Sequence, residues 1–311
     1  MLMEIAMGLQ QKPKTSRQLE EAVKLYQRAL ELCPPAAVAL RARIQARQGT
    51  AYQSLPAGGR DALIKARDCF EESLKSLKIL GTPEEVAEAE MNLGLATQSL
   101  AQNGAARLQD AIQAYHRALR TFTKESYPGE FAILHNNLAI AYLSIPMSDE
   151  RGKMSEALAV QSFEEVLKVV SLVDQPTEYA MIQNNLGNAL QYASSGHVLE
   201  NNLRALEAYE EALKVRTRRD TPLEYANTIS NKANVLRNLP DHLPDHLARP
   251  VLGNQDNLLQ ARALYREARE IFSSFGQTAG AEIVAEALAE IERELTPAAS
   301  SSNGSGNGKM H

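Results

Sequence analysis

The sequence predicts an all-α protein, a right-handed α-solenoid of about six helix hairpins followed by a C-terminal capping helix. Three observations carry this reading. A face of small and aromatic residues recurs six times along 311 residues. A second marker, rich in Asn, Gly and Ala, recurs with the same period. The interior is composed for helices, with 44% hydrophobic residues but only 5% aromatics and no tryptophan, so Ala and Leu must fill most of it.

The first face is a small residue, an aromatic four positions later, usually a small residue three further on, then usually Leu. It reads Ala22-Tyr26-Ala29-Leu30, Ala66-Phe70-Ser73-Leu74, Ala111-Tyr115-Ala118-Leu119, Ala159-Phe163-Val166-Leu167, Ala205-Tyr209-Ala212-Leu213 and Ala261-Tyr265-Ala268. Spacings of four and three place these residues on one side of a helix, where small residues admit a neighbouring helix and the ring fills the gap beside them. Six such faces exceed what one globular core can use. The aromatic returns after 44, 45, 48, 46 and 56 residues, counting from Tyr26 to Phe70, Tyr115, Phe163, Tyr209 and Tyr265. A near-constant period of that size indicates stacked units.

Between these helices lie QGTAY (48–52), MNLGLA (91–96), NNLAIAY (136–142), NNLGNAL (184–190) and NKANVL (231–236), with Gly49, Gly94, Ala139, Gly187 and Ala233 spaced 45, 45, 48 and 46 apart. Glycine inside a helix costs roughly 0.5–1 kcal/mol relative to alanine, so its return at one phase of the repeat calls for close backbone approach. Gly8 is read as the small residue of a shortened first unit. Thr82-Pro83-Glu84-Glu85, Gln175-Pro176-Thr177-Glu178 and Thr221-Pro222-Leu223-Glu224 mark helix starts, with proline and an acid in the first turn. Ala57-Gly58-Gly59 and Ser194-Ser195-Gly196 separate the two helices of a pair.

The segment Asn185-Leu186-Gly187-Asn188-Ala189, followed by Ala205, Tyr209 and Ala212, resembles the tetratricopeptide repeat signature. The units are longer than the usual 34 residues or so, and NNLAIAY and NNLGNAL resemble the extended repeats of kinesin light chains and bacterial multi-repeat proteins. The resemblance covers residues 1–275, strongest in the third to fifth units. Lys232 departs from it, standing where Leu138 and Leu186 stand in neighbouring units, which requires a looser site or a lysine whose stem lies along the apolar surface. An insertion, 239–257, interrupts the fifth unit. A capping helix is expected over 277–295, its outer face made polar by Glu282, Glu286, Glu290, Glu292 and Glu294, and residues 296–311 are expected to be a disordered Ser/Gly/Asn-rich tail.

Charge and chemistry remove several function classes. A net charge of −5 gives no general attraction to nucleic acid or anionic membrane. Cys33 and Cys69 fall in different repeats and imply no disulfide framework. The opening MLMEIAMGLQQK lacks a basic region and carries Glu4, unlike a signal peptide, and no later stretch is apolar enough to span a bilayer. A cytoplasmic protein is expected. Gly304 to Lys309 resembles a phosphate-binding loop only superficially, with Asn303 and Met310 at the wrong places and no helix following. Asp241, His242, Asp245 and His246 could contact a metal, but Pro244 breaks the helix that would align the histidines, and a solvated loop is expected. His116 and His135 lack a nucleophile and read as helix-surface or hydrogen-bonded residues; Glu164-Glu165 and Glu210-Glu211 are adjacent rather than convergent. The run Lys214 to Arg219 ends a helix, where cations favour the dipole. No catalytic residue, metal site or cofactor is expected.

The resemblance implies that the first helix of each pair lines a concave surface. Carried over residue by residue, this gives a peptide-binding groove of Asn92, Asn136, Asn137, Asn184, Asn185, Asn188, Asn231 and Asn234, with Arg47 and Arg237. Asparagine is a poor helix-interior residue, and a wholly solvated face would more naturally carry Glu or Lys. An amide both donates and accepts, so these residues serve either a peptide backbone or the adjacent repeat. Ile133, Ile140 and Leu143 make the groove mixed rather than cationic. The expected function is a non-catalytic adaptor or assembly scaffold holding a protein segment or peptide. The alternative is a regulatory or sensing module that answers a peptide or serves a partner enzyme. Neither partner nor oligomeric state is specified by these residues.

Overall fold

A computed structural model describes residues 1–11, 13–56, 58–145, 150–193, 197–240 and 255–296, and every regular element among them is an α-helix. These are α1 Leu2–Gln11, α2 Ser16–Leu32, α3 Val38–Gln53, α4 Gly59–Leu80, α5 Pro83–Gln102, α6 Leu108–Ala118, α7 Pro128–Leu143, α8 Glu150–Val166, α9 Pro176–Tyr192, α10 Val198–Leu213, α11 Pro222–Arg237, α12 Gln255–Ser274 and α13 Thr278–Leu295. The expected Asp/His cluster at 241–246, most of the insertion, Ser194 to Gly196 and the tail from Pro297 lie outside the described residues.

Local sequence fixes many of the boundaries. Pro83, Pro128, Pro176 and Pro222 open α5, α7, α9 and α11, at the position where a missing N–H removes no helical bond. At α5 the start is reinforced by a capping box. Thr82 Oγ1 accepts from the Glu85 N–H while the Glu85 carboxylate accepts from the Thr82 N–H. Thr82→Ala is expected to lower stability by about 1 kcal/mol, measured as a shift in the urea midpoint; an unchanged midpoint would show the proline alone sets this terminus. At the other kind of boundary, Gly276 follows α12 at φ 67, a left-handed conformation in which a side chain is strained, and the Gln277 N–H turns back to the Phe272 carbonyl at 2.8 Å.

The helices form two compact units, residues 1–171 and 172–311. Within the first, each helix packs on the next from α1 to α8, and the first helices of successive pairs, α3, α5 and α7, also touch. The second unit repeats the scheme from α9 to α13, with α9 touching α11. This sequential packing is that of a helical solenoid. All six recurrent aromatics, Tyr26, Phe70, Tyr115, Phe163, Tyr209 and Tyr265, are fully buried, as are the alanines four residues before them.

The close approach inferred from glycine is real at three places. A β-carbon built on Gly94 would lie 2.5 Å from the ring of Tyr115, one on Gly187 2.5 Å from Tyr209, and one on Gly49 2.9 Å from Phe70. Gly8 is different, because nothing lies within 4 Å of such an atom there; the residue buried at this phase of α1 is Ala6. Lys232 resolves its awkward position by snorkelling, with its side chain mostly covered and its ammonium paired to Glu210. The basic run after α10 joins helices as well as ending one. Arg216 Nη1 donates to Thr228 Oγ1 of α11 at 2.9 Å, and Arg218 pairs with Glu267 and Glu270 of α12. In α13, Glu290 and Glu294 pair with Arg237 and Glu292 with Arg266, while Glu282 and Glu286 are exposed.

Candidate functional site

In the first unit the α3–α5 face is laced by charge. Arg43 grips Glu85 with two hydrogen bonds, 2.6 and 3.2 Å, and Arg47 reaches Glu88 at 3.3 Å. Arg43 thus holds the carboxylate that also closes the α5 capping box, and its hydrogen bond keeps Glu85 below the ordinary carboxylate range against the opposing effect of burial. Both arginines are well exposed, so each pair is worth at most about 1 kcal/mol. With Thr50 and Asn92 they border a cleft of about 50 Å³, room for little beyond water. The side chain of Asn92 makes no hydrogen bond to the described residues, and neither does that of Asn137 on α7. Leu95 and Ile133 stand exposed on the same two helices, whereas the Asn136 Oδ1 atom is buried without a partner.

The second unit uses its amides differently. Asn184 is buried, and its Oδ1 accepts from Thr228 Oγ1 at 3.1 Å and Asn231 Nδ2 at 3.4 Å, which ties α9 to α11. Asn188 Oδ1 accepts from Tyr209 Oη at 2.8 Å, and Asn234 Oδ1 accepts from Tyr265 Oη. Arg237 pairs with Glu290 and Glu294 of α13 and so serves the capping helix. Among the amides expected in the groove of this unit, the side chain of Asn185, half-buried on α9 near exposed Met181, alone makes no hydrogen bond to the described residues. Of the amides expected along the groove, then, Asn184, Asn188, Asn231 and Asn234 are engaged inside the fold, while Asn92, Asn137 and Asn185 are not.

A rule links the buried rings to these amides. Tyr26 Oη donates to Gln10 Oε1 at 2.9 Å, Tyr115 Oη to Gln98 Oε1 at 2.6 Å, and Tyr209 Oη to Gln191 Oε1 at 3.0 Å as well as to Asn188. Gln10, Gln98 and Gln191 each stand four residues after the small residue of their first helix, Ala6, Gly94 and Gly187. Burial holds the Tyr115, Tyr209 and Tyr265 hydroxyls above their ordinary pKa, so they remain donors at any physiological pH. The phenylalanine repeats lack the donor. In one, Leu143 occupies the glutamine position and Ile140 precedes it; in the other, Gln53 remains and its Nε2 is buried with no partner.

No family model matches the chain, and no curated protein matches it. Among the solved structures that match it, two align with most of its length. The crystal structure of BtubC (BKLC) from P. vanneervenii shares 15% identity over 95% of this chain and 96% of that one, with a TM-score of 0.41. The TPR2AB-domain:pHSP90 complex of yeast Sti1 shares 15% identity over 94% of this chain and 97% of that one, with a TM-score of 0.31. Likenesses this distant assign no function, and the side chains must do so.

Sequence reasoning missed Glu90. This carboxylate on α5 is 1% exposed, 2.7 Å from Arg117 Nη2 of α6 and 3.0 Å from Lys78 Nζ of α4, and so joins three helices. Its Oε1 lies in ion-pair range of Lys78 without the alignment of a hydrogen bond. A signal was available, since Glu90 is four residues before Gly94 and therefore on the buried side of its helix. For reactive groups the setting is poor. Burial pushes the Cys69 thiol up to about 11, away from the nucleophilic thiolate. His116 Nε2 is 2.9 Å from Tyr142 Oη, and His135 lies against Phe131 with ring centroids 4.3 Å apart. Among the described residues no three His, Cys, Asp or Glu side chains converge on a metal position, and no helix is long and apolar enough to cross a membrane. What the first helices offer is hydrogen-bonding amides beside exposed aliphatic side chains.

Proposed function

We propose that this chain is a non-catalytic binding module of the tetratricopeptide kind, an adaptor or scaffold that holds protein segments on the first-helix faces within each of its two units. The observation that carries this reading is the division among the asparagines. Those that tie rings or neighbouring helices explain themselves structurally, but Asn92, Asn137 and Asn185 tie nothing among the described residues and still stand at helix-interior positions where asparagine is costly. Leu95, Ile133 and Met181 set apolar contacts beside them. A segment that presents backbone amides together with one or two aliphatic side chains satisfies both kinds of group. The cation pairs of α3 and α5 are already matched within the chain, so the face selects by shape and hydrogen bonding more than by net charge.

Site-specific photo-crosslinking in the native host tests this. A crosslinking residue at Asn92, Asn137 or Asn185 is expected to trap a defined protein adduct that the same residue at exposed Glu72, on the second helix α4, does not. Equal trapping at Glu72, or none at the three asparagines, would refute the assignment of this face.

A further inference from the structure

His135, on α7 and facing Glu165 of α8, has one ring nitrogen in an unusual position. Its Nδ1 is buried and has no hydrogen-bond partner among the described residues, and its ring lies against Phe131 with centroids 4.3 Å apart and planes at 48°. A bare imidazole nitrogen tolerates such a place better than an N–H does, so the neutral ring carries its proton on Nε2. That tautomer leaves Nδ1 as the sole position for a second proton, where the new N–H would find no acceptor. Protonation therefore imposes two penalties at once, a charge in a partly apolar setting and an orphaned buried donor. The groups that face the ring set the balance. On α8, Glu165 favours the cation but is already bound to Lys168, whose own charge opposes it; on α6, His116 adds a like charge when it too is protonated. Burial outweighs Glu165, and the imidazole is held below the ordinary histidine range.

We propose that His135 is an acid-sensitive point of α7 where it faces Glu165 of α8: neutral, its ring stays on Phe131 of its own helix with Nδ1 enclosed, and when protonated it leaves that seat and loosens α7 against α8. The linkage runs in one direction. A histidine whose folded-state pKa is depressed adds stability that is complete above its unfolded value, about 6.5, and is lost as the pH falls through the lower folded value. Because Asn136 and Asn137 follow on the same helix, acid would also disturb the face on which the proposed binding rests; the acid response itself holds whether or not that face binds a partner.

The test uses the full chain without any partner, so its failure is separate from failure of the binding proposal. The imidazole of His135, identified by the resonance lost in His135→Asn, is expected to titrate below the ordinary histidine range, as its burial requires. Amide hydrogen exchange, corrected for intrinsic rates, is expected to rise about tenfold in α7 and α8 between about pH 7 and about pH 5, with α2 to α4 as reference. His135→Phe, which keeps a ring on Phe131 but cannot titrate, is expected to abolish that rise. An ordinary midpoint in the wild-type chain, or the same acid-dependent exchange in His135→Phe, would overturn the proposal. Should His135→Phe fold poorly, the wild-type titration still decides.

Discussion

Tyr209→Ala is expected to destabilise the second unit by about 3–5 kcal/mol, the range for emptying a fully buried aromatic site. Tyr209→Phe isolates the hydroxyl. It removes one donor and leaves Asn188 Oδ1 and Gln191 Oε1 without it, for an expected loss of about 1–2 kcal/mol. The reverse change separates the two phenylalanine repeats. Phe163→Tyr brings a buried hydroxyl into the repeat where Ile140 and Leu143 replace amides, and is expected to cost about 1–3 kcal/mol. Phe70→Tyr places the same atom in the repeat where Gln53 waits unpaired and is expected to be neutral or to stabilise by up to about 1 kcal/mol. Urea midpoints of the four variants check the rule, and equal effects at Phe70 and Phe163 would dismiss it.

Gly94→Ala and Gly187→Ala are expected to destabilise by about 1–3 kcal/mol each, although alanine is the better helix former by about 1 kcal/mol. The reason is contact with the body of a ring that cannot retreat. The added methyl would meet Tyr115 or Tyr209 at 2.5 Å, and both rings are fully enclosed. Gly8→Ala is the control, since its methyl meets nothing within 4 Å and it should raise stability by up to about 1 kcal/mol. Thermal or chemical denaturation reads all three. If the glycines at 94 and 187 also gain stability on replacement, the helices there are not in close approach.

These contrasts show which features the sequence made legible. The period and the small–aromatic face were readable because they rest on i, i+3, i+4 geometry, and every predicted ring lies in the interior. The roles of the asparagines were not. Asn184 and Asn185 are neighbours in sequence but about 100° apart around the helix, and that rotation separates an amide locked onto Thr228 from one that bonds to none of the described residues. Composition and spacing do not record such a rotation within a polar pair. The ion pairs of Arg237 were not legible for a similar reason, because its carboxylate partners are more than fifty residues away on the last helix. The first repeat misled through its brevity. In ten residues of α1 both Ala6 and Gly8 fit the pattern, and only the packed ring of Tyr26, hydrogen-bonded to Gln10, selects Ala6.

The matching of ring to amide also constrains how such an array can lengthen or shuffle during evolution. A crossover that fused α7 to α10 would set Ile140 and Leu143 beneath a tyrosine hydroxyl, and one that fused α9 to α8 would strand Asn188 and Gln191 under phenylalanine. Either chimaera inherits a buried mismatch at its joint. Breakpoints that fall in the connections between pairs carry each hairpin away with its own counterpart, so duplication by whole hairpins is the inheritance pattern this architecture tolerates.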